Sequence, residues 1–547
     1  MGSQRAKEPS VTALDTLGSG SDSASTSDAS SKDRLHGNVF ISGGSAEHYE
    51  PIPEYEGRHR YDPKAEWTPK EEKRLVRKLD YRICSWVCIM FFALQLDRGN
   101  ISNALADSFL KDLNLTTNDY NLGMTIFYLC FLFAELPSQM ISKKLGPDVW
   151  VPAQMILWST VAMLQCVIRG RTGFFITRGF LGAFEGGFIP DAILYLSYFY
   201  NSKELPIRVS YFYTASNLTP IISAFLAYGI LHMRGIGGWE GWRWLFVLEG
   251  GLTALIGVIS WFYLPPSPTQ TAGWLRGKDG WFDEREEIIM VNRILRDDPS
   301  KGGMHNRQGL TLPLLWQALS DFDLWPIYLL GFTILEPVAP IQNYLTLNLR
   351  QLGFDTFETN LLTIPGYVLF AIQLLFWTRI SEWINNRFLV VFFCSVWLFP
   401  LVLSLRLLPD GASSWARYAL TVLVIGYPYV HSIVGLLTVS LTSRNAGSVA
   451  GRTVGSAVYN MCVQAGSIIA SNIYREDDKP YYRRGNSAIL GIIAWNAVFT
   501  LAIKGYYMWR NKTKSMKWDS MTTEEKRDYV DTTAEKGSKR LDFRFAH

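Results

Sequence analysis

The stretch WLFVLEGGLTALIGVISWFYL, residues 244–264, decides the fold class of this chain. About 20 consecutive apolar residues suffice for a helix to cross the hydrocarbon core of a bilayer, and the only charged residue in this stretch is Glu249. Similar apolar stretches lie on both sides of it. Together they predict an all-α membrane protein with 12 transmembrane helices, which span residues 83–105, 121–141, 149–169, 173–199, 207–231, 244–264, 324–347, 359–384, 388–408, 414–441, 451–473 and 487–509.

The composition of the whole chain agrees with one large membrane-embedded body. Of the 547 residues, 48% are hydrophobic and only 19% are charged, a balance that excludes a soluble enzyme of this size. The formal net charge of +4 is too small to indicate a nucleic-acid partner. The seven histidines are scattered, and the sequence shows no metal-binding cluster or nucleophile motif, so we expect neither an enzyme nor a metal cofactor.

The spans divide the chain into five regions. Six spans precede a long central loop and six follow it, which predicts two six-helix bundles. The head of the chain is rich in Ser, Gly and Asp, and its hydrophobicity is too low to offset chain entropy. The regions are a disordered cytoplasmic tail at 1–80, a first bundle at 81–264, a cytoplasmic central loop at 265–323, a second bundle at 324–509 and a cytoplasmic tail at 510–547.

The segment DEREEIIMVNRILR, residues 283–296 of the central loop, has apolar residues at helical spacing and charges elsewhere. This pattern predicts an amphipathic helix that lies on the membrane surface. Neither tail of the chain is predicted to form a folded domain.

The distribution of Lys and Arg predicts the orientation in the membrane. Basic residues are more numerous in the segments that are cytoplasmic when both termini are cytoplasmic, as the positive-inside rule requires. Asn114, which begins the triplet Asn-Leu-Thr, then faces outward and is a candidate for glycosylation. Asn217 begins the same triplet but lies within a span, where no glycan is expected. We expect a multi-pass protein of the plasma membrane.

Two bundles joined by a cytoplasmic loop are a common layout of secondary transporters. In such proteins the substrate site lies near the middle of the membrane, between the bundles, and is reached from each side in turn. The layout therefore favours a transporter over a channel or a membrane enzyme. We expect its partners to be a small solute, protons and the lipid bilayer, and the chain to act as a monomer.

Two pairs of charged residues lie at similar depth in the first and fourth spans. A charge at the centre of a bilayer costs at least ~2.5–3.5 kcal/mol, so each such residue needs a partner, a cavity or a function. A helical rise of about 1.5 Å per residue brings Asp97 and Arg98 to the depth of Arg178 and Glu185. We hypothesise that the two arginines bind a substrate anion, while the two carboxyl groups bind the coupling protons. The alternative is a set of static salt bridges that locks the first bundle.

Five further ionisable residues lie within the spans, and each allows more than one interpretation. Glu135 is a candidate for proton coupling, for a gate or for a salt bridge at a helix end. Asp191 and Glu249 lie nearer the span ends, where structural salt bridges are the commoner role. Glu336 precedes two prolines that would break the seventh span, and it either lines the substrate site or forms a structural bridge. His431 either relays protons or is a satisfied interior histidine.

Polar residues without charge supply further candidates for the substrate site. Because polar side chains within spans tend to face the bundle interior, they can either line a cavity or pack between helices. The candidates are Tyr213, Asn217, Asn343, Tyr459, Asn460 and Gln464.

The two motifs that contain the charged pairs resemble those of a known family. LDRGNISNA, residues 96–104, and RGFLGAFEGGFIP, residues 178–190, are similar to signatures of the anion:cation symporters of the major facilitator superfamily. KKLGP at 143–147, GWRWLF at 241–246 and NRILRDDPSK at 292–301 narrow the resemblance to the fungal allantoate permease group.

The resemblance implies import of small organic anions, with the proton as coupling ion. Substrates of the group include allantoate, ureidosuccinate, vitamin carboxylates and sulfur-containing anions. The acidic–basic pair of the family's first span and the arginine and glutamate of its fourth span fall on Asp97, Arg98, Arg178 and Glu185. The loop after the second span departs from the superfamily pattern Gly-x-x-x-Asp-Arg-x-Gly-Arg, because residues 142–148 read SKKLGPD. The gating network of that loop therefore cannot be transferred to this chain.

Two rival functions stay open at the level of the sequence. A drug or toxin exporter that works by proton antiport has the same number of spans. Its fifth helix usually carries a Gly-Pro-x-x-Gly-Gly pattern, which residues 219–224, TPIISA, do not match. A nutrient sensor that binds without transport often adds a signalling domain, which neither tail resembles. The sequence does not identify the anion.

Overall fold

The computed structural model describes residues 51, 55–201, 204–297, 316, 319–384, 386–428, 445, 449–533 and 537–546. Within these ranges the chain is built from helices, and the strand-like pairing is limited to an isolated bridge between Gly273 and Gly277. Eight helices there are long and apolar enough to cross a membrane, and shorter apolar helices accompany them. The prediction of an all-α membrane protein is confirmed.

The helices of the first bundle begin with side-chain caps at several points. The hydroxyl of Thr68 accepts a hydrogen bond from the Glu71 backbone, and the Glu71 side chain accepts one from the Thr68 backbone. Thr116 and Asp119 cap the helix Thr117–Leu145 in the same way. The helices are α1 (Pro69–Leu79), α2 (Ser85–Ala104), α3 (Phe109–Asp112), α4 (Thr117–Leu145), α5 (Pro147–Leu164), α6 (Arg171–Glu185), α7 (Phe188–Ser197), α8 (Leu205–Leu231) and α9 (Gly241–Tyr263).

The central loop and the second bundle supply the remaining helices. The predicted tenth span, 414–441, is described only as far as residue 428. The helices are α10 (Glu284–Asp297) in the central loop, then α11 (Trp325–Ile334), α12 (Ala339–Asn343), α13 (Leu345–Gln351), α14 (Thr356–Ile384), α15 (Arg387–Leu407), α16 (Ser414–Ile425), α17 (Val449–Ala470) and α18 (Arg483–Asp519), and finally α19 (Thr523–Thr532) in the tail.

Two of the predicted spans are interrupted in the structure. The fourth, expected to be continuous over 173–199, breaks between α6 and α7 because Gly187 adopts a φ of +91°, a conformation that favours glycine. A side chain at Gly187 would also collide with Ser138. The seventh breaks between α11 and α12, with Pro340 in the first turn of α12, as its prolines predict.

Residues 55–80 are folded, whereas the sequence predicts a disordered tail over 1–80. Tyr55 packs against Val291 and Leu295 of α10, and Arg60 pairs with Glu287 of the same helix at 2.8 Å. The apolar face of α10 is therefore covered by the protein itself rather than by the membrane surface. The few apolar and charged residues that form these contacts are diluted in the composition of the head, so composition alone missed them.

The end of the chain also folds back, contrary to expectation. Helix α18 continues to Asp519, beyond the predicted end of the last span at 509. Phe545 stacks on Tyr507 with ring centroids 5.1 Å apart. The side chain of Asn511 donates to the carbonyl of Phe545 and accepts from its N–H, both at 2.8 Å. The tail therefore contacts the end of the second bundle.

The helix directions define two faces of the molecule. We call the end that carries α1, α10 and the C-terminal tail the tail face. We call the other end, which carries the loops 105–116, 232–240 and 471–482, the opposite face.

Candidate functional site

A central cavity of about 380 Å³ lies between the two bundles. Helices α2, α4, α6 and α8 of the first bundle and α14 and α17 of the second contribute to its walls, together with the broken seventh span. Its volume is in the range of sites for small molecules. Both arginines that the sequence singles out, Arg98 and Arg178, line it.

Arg98 is ion-paired at the wall of the cavity. Its Nε lies 2.6 Å from Oε2 of Glu185, and its guanidinium lies over the ring of Phe131 at 4.9 Å. The Arg98 side chain keeps 20% of its surface exposed, whereas that of Glu185 keeps 2%. Arg98 therefore faces the cavity, with Glu185 behind it.

Arg178 is held by a neutral partner. Its guanidinium donates to the side-chain oxygen of Gln165 at 2.6 Å and lies 5.7 Å from the ring of Phe174. Its Nε is buried and has no hydrogen-bond partner in the described part of the chain. Glu185 pairs with Arg98 instead, although it shares α6 with Arg178. A guanidinium bound to an amide keeps its full charge and an N–H donor for an anion.

Asp97 points away from the cavity. Since 3.6 residues complete a turn of an α-helix, Asp97 and its neighbour Arg98 face different sides of α2. The indole N–H of Trp158 donates to Oδ2 of Asp97 at 3.2 Å. The four charges expected in one pocket are therefore divided: Arg98 and Arg178 line the cavity, Glu185 lies behind Arg98, and Asp97 lies inside the first bundle.

Glu135 links the two bundles. The side-chain amide of Asn460 on α17 donates to Oε1 of Glu135 at 3.5 Å, and the carboxyl group is buried. Its other oxygen has no hydrogen-bond partner among the residues that the structure describes. This contact favours a gate over a salt bridge at the helix end.

The structural salt bridges expected for Asp191 and Glu249 are not formed within the described ranges. Asp191 accepts a hydrogen bond from the Ser138 hydroxyl at 3.2 Å instead. Glu249 is buried, and neither of its carboxyl oxygens has a hydrogen-bond partner there. The basic residue on the helix of Glu249, Arg243, is paired with Glu240 at the helix end and cannot serve as its partner.

Glu336 lies in the break of the seventh span and is buried behind the cavity wall rather than lining it. It packs against α17, where a side chain at Gly466 would collide with both Phe332 and Glu336. The structure therefore differs from the expected substrate-lining position, because the break turns the carboxyl group toward a neighbouring helix.

The neutral candidates divide in the same way. Tyr459 packs against α11, where a side chain at Gly331 would meet its ring, and does not line the cavity. The side chain of Asn217 and all of His431 lie outside the described residues. Asn114 is exposed between α3 and α4, as a glycan acceptor must be. The candidates that do line the cavity are Tyr213, Asn343, Asn460 and Gln464.

Sequence reasoning missed several polar side chains at the cavity. Gln95 and Ser102 lie three and four residues from Arg98, so all three share one face of α2. This spacing is a signal that could have identified them. The orientation of the others depends on how the helices pack, and no sequence pattern gives it; among them are Tyr120, Tyr128, Gln342, Tyr367 and Tyr427.

Hydrogen bonds between the bundles close the cavity toward the opposite face. The N–H of Thr117, at the start of α4, donates to Oε2 of Glu476 at 2.7 Å. The side chain of Asn121 donates to the carbonyl of Tyr474 at 2.6 Å and accepts from the hydroxyl of Tyr344. We call these three contacts the outer closure of the cavity.

The chain is similar in sequence to known transporters. The family model of the Major Facilitator Superfamily matches residues 87–471. The uncharacterized transporter YIL166C of Saccharomyces cerevisiae is 45% identical over 527 residues, which cover 95% of this chain and 96% of that protein. The MFS transporter prlL of a fungal species (strain NRRL 50135) is 28% identical over 463 residues, which cover 80% of this chain and 87% of that protein.

The chain is also similar in structure to solved transporters. The xylose transporter XylE from E. coli, in a partially occluded inward-open conformation, gives a TM-score of 0.57 at 13% identity, over 79% of this chain and 97% of that chain. A bacterial homolog of the human lysosomal transporter Spinster gives a TM-score of 0.56 at 12% identity, over 77% of this chain and 96% of that chain. At such low identity, the similarity establishes the fold alone.

Proposed function

The chain belongs to the Major Facilitator Superfamily, and we propose that this transporter imports a small organic anion together with protons. The family and the relatives make it a multi-pass membrane transporter; the anion, the protons and the direction are our proposal. Within the superfamily we assign it to the anion:cation symporters, in the fungal allantoate permease group. The motifs at 96–104 and 178–190 support this assignment.

The position of Arg178 is the observation that carries the proposal for an anion. A buried guanidinium is costly unless an opposite charge or several acceptors compensate it. Arg178 has Gln165 as its side-chain partner, a buried Nε without a described partner, and access to the cavity. The single carboxylate of Glu185 acts on both Arg98 and Arg178, so an anion in the cavity would supply the second negative charge.

The ion pair between Arg98 and Glu185 supports the coupling to protons. While Glu185 is ionised, its carboxylate occupies the Nε donor of Arg98. A proton on Glu185 removes that charge and frees Arg98 for the substrate. Proton and anion would then load together without a net change of charge in the cavity. A neutral loading step lets the bundles reorient without moving an extra charge through the membrane.

We propose that the tail face is cytoplasmic and that the membrane is the plasma membrane. The outer closure then separates the cavity from the exterior, and the exposed Asn114 lies on the exterior side. Import requires the outer closure to open when the transporter is empty.

The polar lining favours an anion that also forms neutral hydrogen bonds. Gln342, Asn343 and Gln464 present amide groups to the cavity, and amide groups both donate and accept. The candidates are ureides such as allantoate, vitamin carboxylates and sulfur-containing anions.

An uptake screen tests the proposal. Labelled anions from the three classes are offered at pH 5 and pH 7.5 to cells that lack their own permeases. We expect at least one to accumulate faster at pH 5, and Arg178→Ala to abolish this uptake. Arg350→Ala, which removes an exposed arginine that does not line the cavity, is the matched control and should leave uptake intact. Exclusion of the anion would point to an exporter, and binding without uptake to a sensor; either result would overturn the proposal.

A further inference from the structure

Glu249 is a buried carboxyl group to which the proposed substrate site assigns no role. Its side chain is 1% exposed, and neither Oε1 nor Oε2 has a hydrogen-bond partner in the described part of the chain. An ionised carboxylate in such surroundings is strongly unfavourable without a compensating charge. Glu249 must therefore either be protonated or have a nearby cation.

The packing of α2 against α9 brings Glu249 level with Asp97. The two helices run in opposite directions, and the hydroxyl of Thr253 on α9 contacts the carbonyl of Ala93 on α2 at 3.4 Å. Asp97 lies one turn beyond Ala93 toward the opposite face, and Glu249 lies one turn beyond Thr253 in the same direction. The two carboxyl groups consequently lie at the same level of the contact between α2 and α9, where the charge of Asp97 acts on Glu249.

The helices around this contact do not supply a cation. Trp158 of α5 donates its indole N–H to Oδ2 of Asp97, while Oδ1 of Asp97 has no hydrogen-bond partner among the described residues. Where Gly250 packs on α5, it faces the uncharged residues Ala162 and Met163. The arginines of α2, α6, α8 and α9 have other partners: Arg98 pairs with Glu185, Arg171 with Asp119, Arg178 with Gln165, Arg208 with Asp80, and Arg243 with Glu240.

We propose that Asp97 and Glu249 form a proton-binding carboxyl pair inside the first bundle, and that Glu249 is a proton-coupling residue of the transporter. Two adjacent carboxyl groups without a cation cannot both be ionised, so the pair holds at least one proton and titrates as a unit. The part about coupling rests on the proposed function, whereas the bound proton rests on the packing alone.

The pair is placed to influence the cavity without contacting the substrate. Asp97 adjoins Arg98 on α2, and the charge of Glu185 acts on Asp97. Loss of the proton would set two like charges against each other at the contact of α2 with α9. This repulsion would loosen the helix that carries Arg98. The pair therefore links proton release to the position of a substrate-binding arginine.

Infrared spectroscopy of the purified full-length protein in lipid vesicles tests the bound proton without any substrate. The probe is the carbonyl absorption of protonated carboxyl groups at pH 7.5, compared between the wild type, Glu249→Gln, Asp97→Asn and Glu358→Gln. Glu358 is an exposed carboxyl group at the start of α14 and serves as the matched control. We expect Glu249→Gln to remove part of this absorption and Glu358→Gln to leave it unchanged. Because the shared proton can reside on either carboxyl group, spectra of both Glu249→Gln and Asp97→Asn that are identical to that of the wild type would overturn the proposal.

The pH dependence of thermal unfolding gives a second readout, and it also shows that the variant folds. A carboxyl group that is protonated in the folded state but ionised in the unfolded state costs stability as the pH rises. We expect the melting temperature of the wild type to fall between pH 6 and pH 9, and that of Glu249→Gln to fall less. Parallel curves would count against the pair. If the uptake screen finds no anion, the proposed function fails while both of these measurements still decide the bound proton.

Discussion

Arg98 and Arg178 present the same chemical group to the cavity under different restraints. Arg98 is bound by the carboxylate of Glu185, so its availability depends on the protonation of that carboxylate. Arg178 is bound by the amide of Gln165, which does not titrate. In our account Arg178 is therefore the permanent anchor for the anion, and Arg98 becomes available only when a proton is bound.

Replacing the anchor tests this difference. In Arg178→Lys the charge remains, but the planar fork that binds an anion with two hydrogen bonds is lost. Because a hydrogen bond to a charged group contributes about 1.5–3 kcal/mol, we expect KM for the anion to rise by roughly 10-fold or more. Initial uptake rates over a range of anion concentrations measure this change. An unchanged KM would show that Arg178 does not contact the substrate.

Replacing Glu185 tests the coupling of anion transport to protons. In Glu185→Gln the side chain of residue 185 cannot be ionised, so no carboxylate competes with the anion for Arg98 at any pH. We expect exchange of anion across the membrane to persist, while accumulation driven by the proton gradient is lost. Counterflow and net uptake in the same vesicles separate the two activities. Accumulation at the rate of the wild type would contradict the role of Glu185.

The identity of the charged residues could be read from the sequence, but their grouping could not. Depth along a helix follows from residue number, so the similar level of Arg98 and Glu185 was predictable. The rotation of α2 about its axis depends on packing against α5 and α9, and it turns Asp97 away from Arg98 toward Trp158. Gln165, the partner of Arg178, lies at the end of a predicted span and carries no signal of its own.

At the scale of a helix, the break between α6 and α7 positions the site. Helix α6 carries Arg178 and Glu185, and it ends directly after Glu185 because Gly187 turns the chain. The prolines of the seventh span announce its break in the sequence, since a proline removes a backbone donor. The glycine pair at 186–187 gives no comparable signal, because glycines in membrane helices commonly serve close packing as well.

A side chain at the break should destabilise the protein. Alanine at residue 187 would be strained at a φ of +91° and would press on Ser138. We expect Gly187→Ala to cost about 1–3 kcal/mol and to lower the melting temperature in detergent. Gly229→Ala is the control, because a Cβ there has open space in a helix and should leave stability unchanged or raise it. A melting temperature for Gly187→Ala equal to that of the wild type would refute the strained turn.

At the scale of the whole molecule, the outer closure ties the two bundles together at one end. Glu476 accepts a hydrogen bond from the N–H of Thr117 and pairs with Lys479 at 2.8 Å. Burial alone would raise the pKa of the Glu476 carboxyl, but the hydrogen bonds from Lys479 and Thr117 outweigh it and hold the pKa below its usual value. The stabilisation that this carboxylate contributes to the folded protein is therefore present above the usual pKa of Glu. It is lost only as the pH falls through the lowered pKa.

The lowered pKa of Glu476 makes a prediction about the pH dependence of uptake. Between pH 5 and pH 7.5 Glu476 stays ionised, so it cannot be the source of faster uptake in acid. We expect Glu476→Gln to keep the acid dependence of uptake while weakening the closure. The variant Ser102→Cys, whose side chain lies at the cavity, reports the closure through its labelling by an impermeant thiol reagent from the opposite face. Adding Glu476→Gln to this variant should raise the labelling rate several-fold. Loss of the acid dependence of uptake in Glu476→Gln would contradict our account.

The two-bundle architecture follows from apolar length and loop charge, and those features are plain in the sequence. The ordered tails do not follow from them. Residues 55–68 fold because a few of their side chains pack against or pair with residues of α10. The last residues fold because Phe545 stacks on Tyr507. Such contacts join segments far apart in the chain, and local composition carries no record of them.

The central claim is that anion and proton enter together through this cavity. The most direct measurement uses the purified full-length protein in vesicles that enclose a pH-sensitive dye, with the anion identified by the uptake screen added outside at equal pH. Our account predicts that the lumen acidifies as the anion enters, and that Glu185→Gln, in vesicles preloaded with the anion, exchanges it without this acidification. Entry of the anion into wild-type vesicles with no acidification, or with a rise in luminal pH, would contradict it.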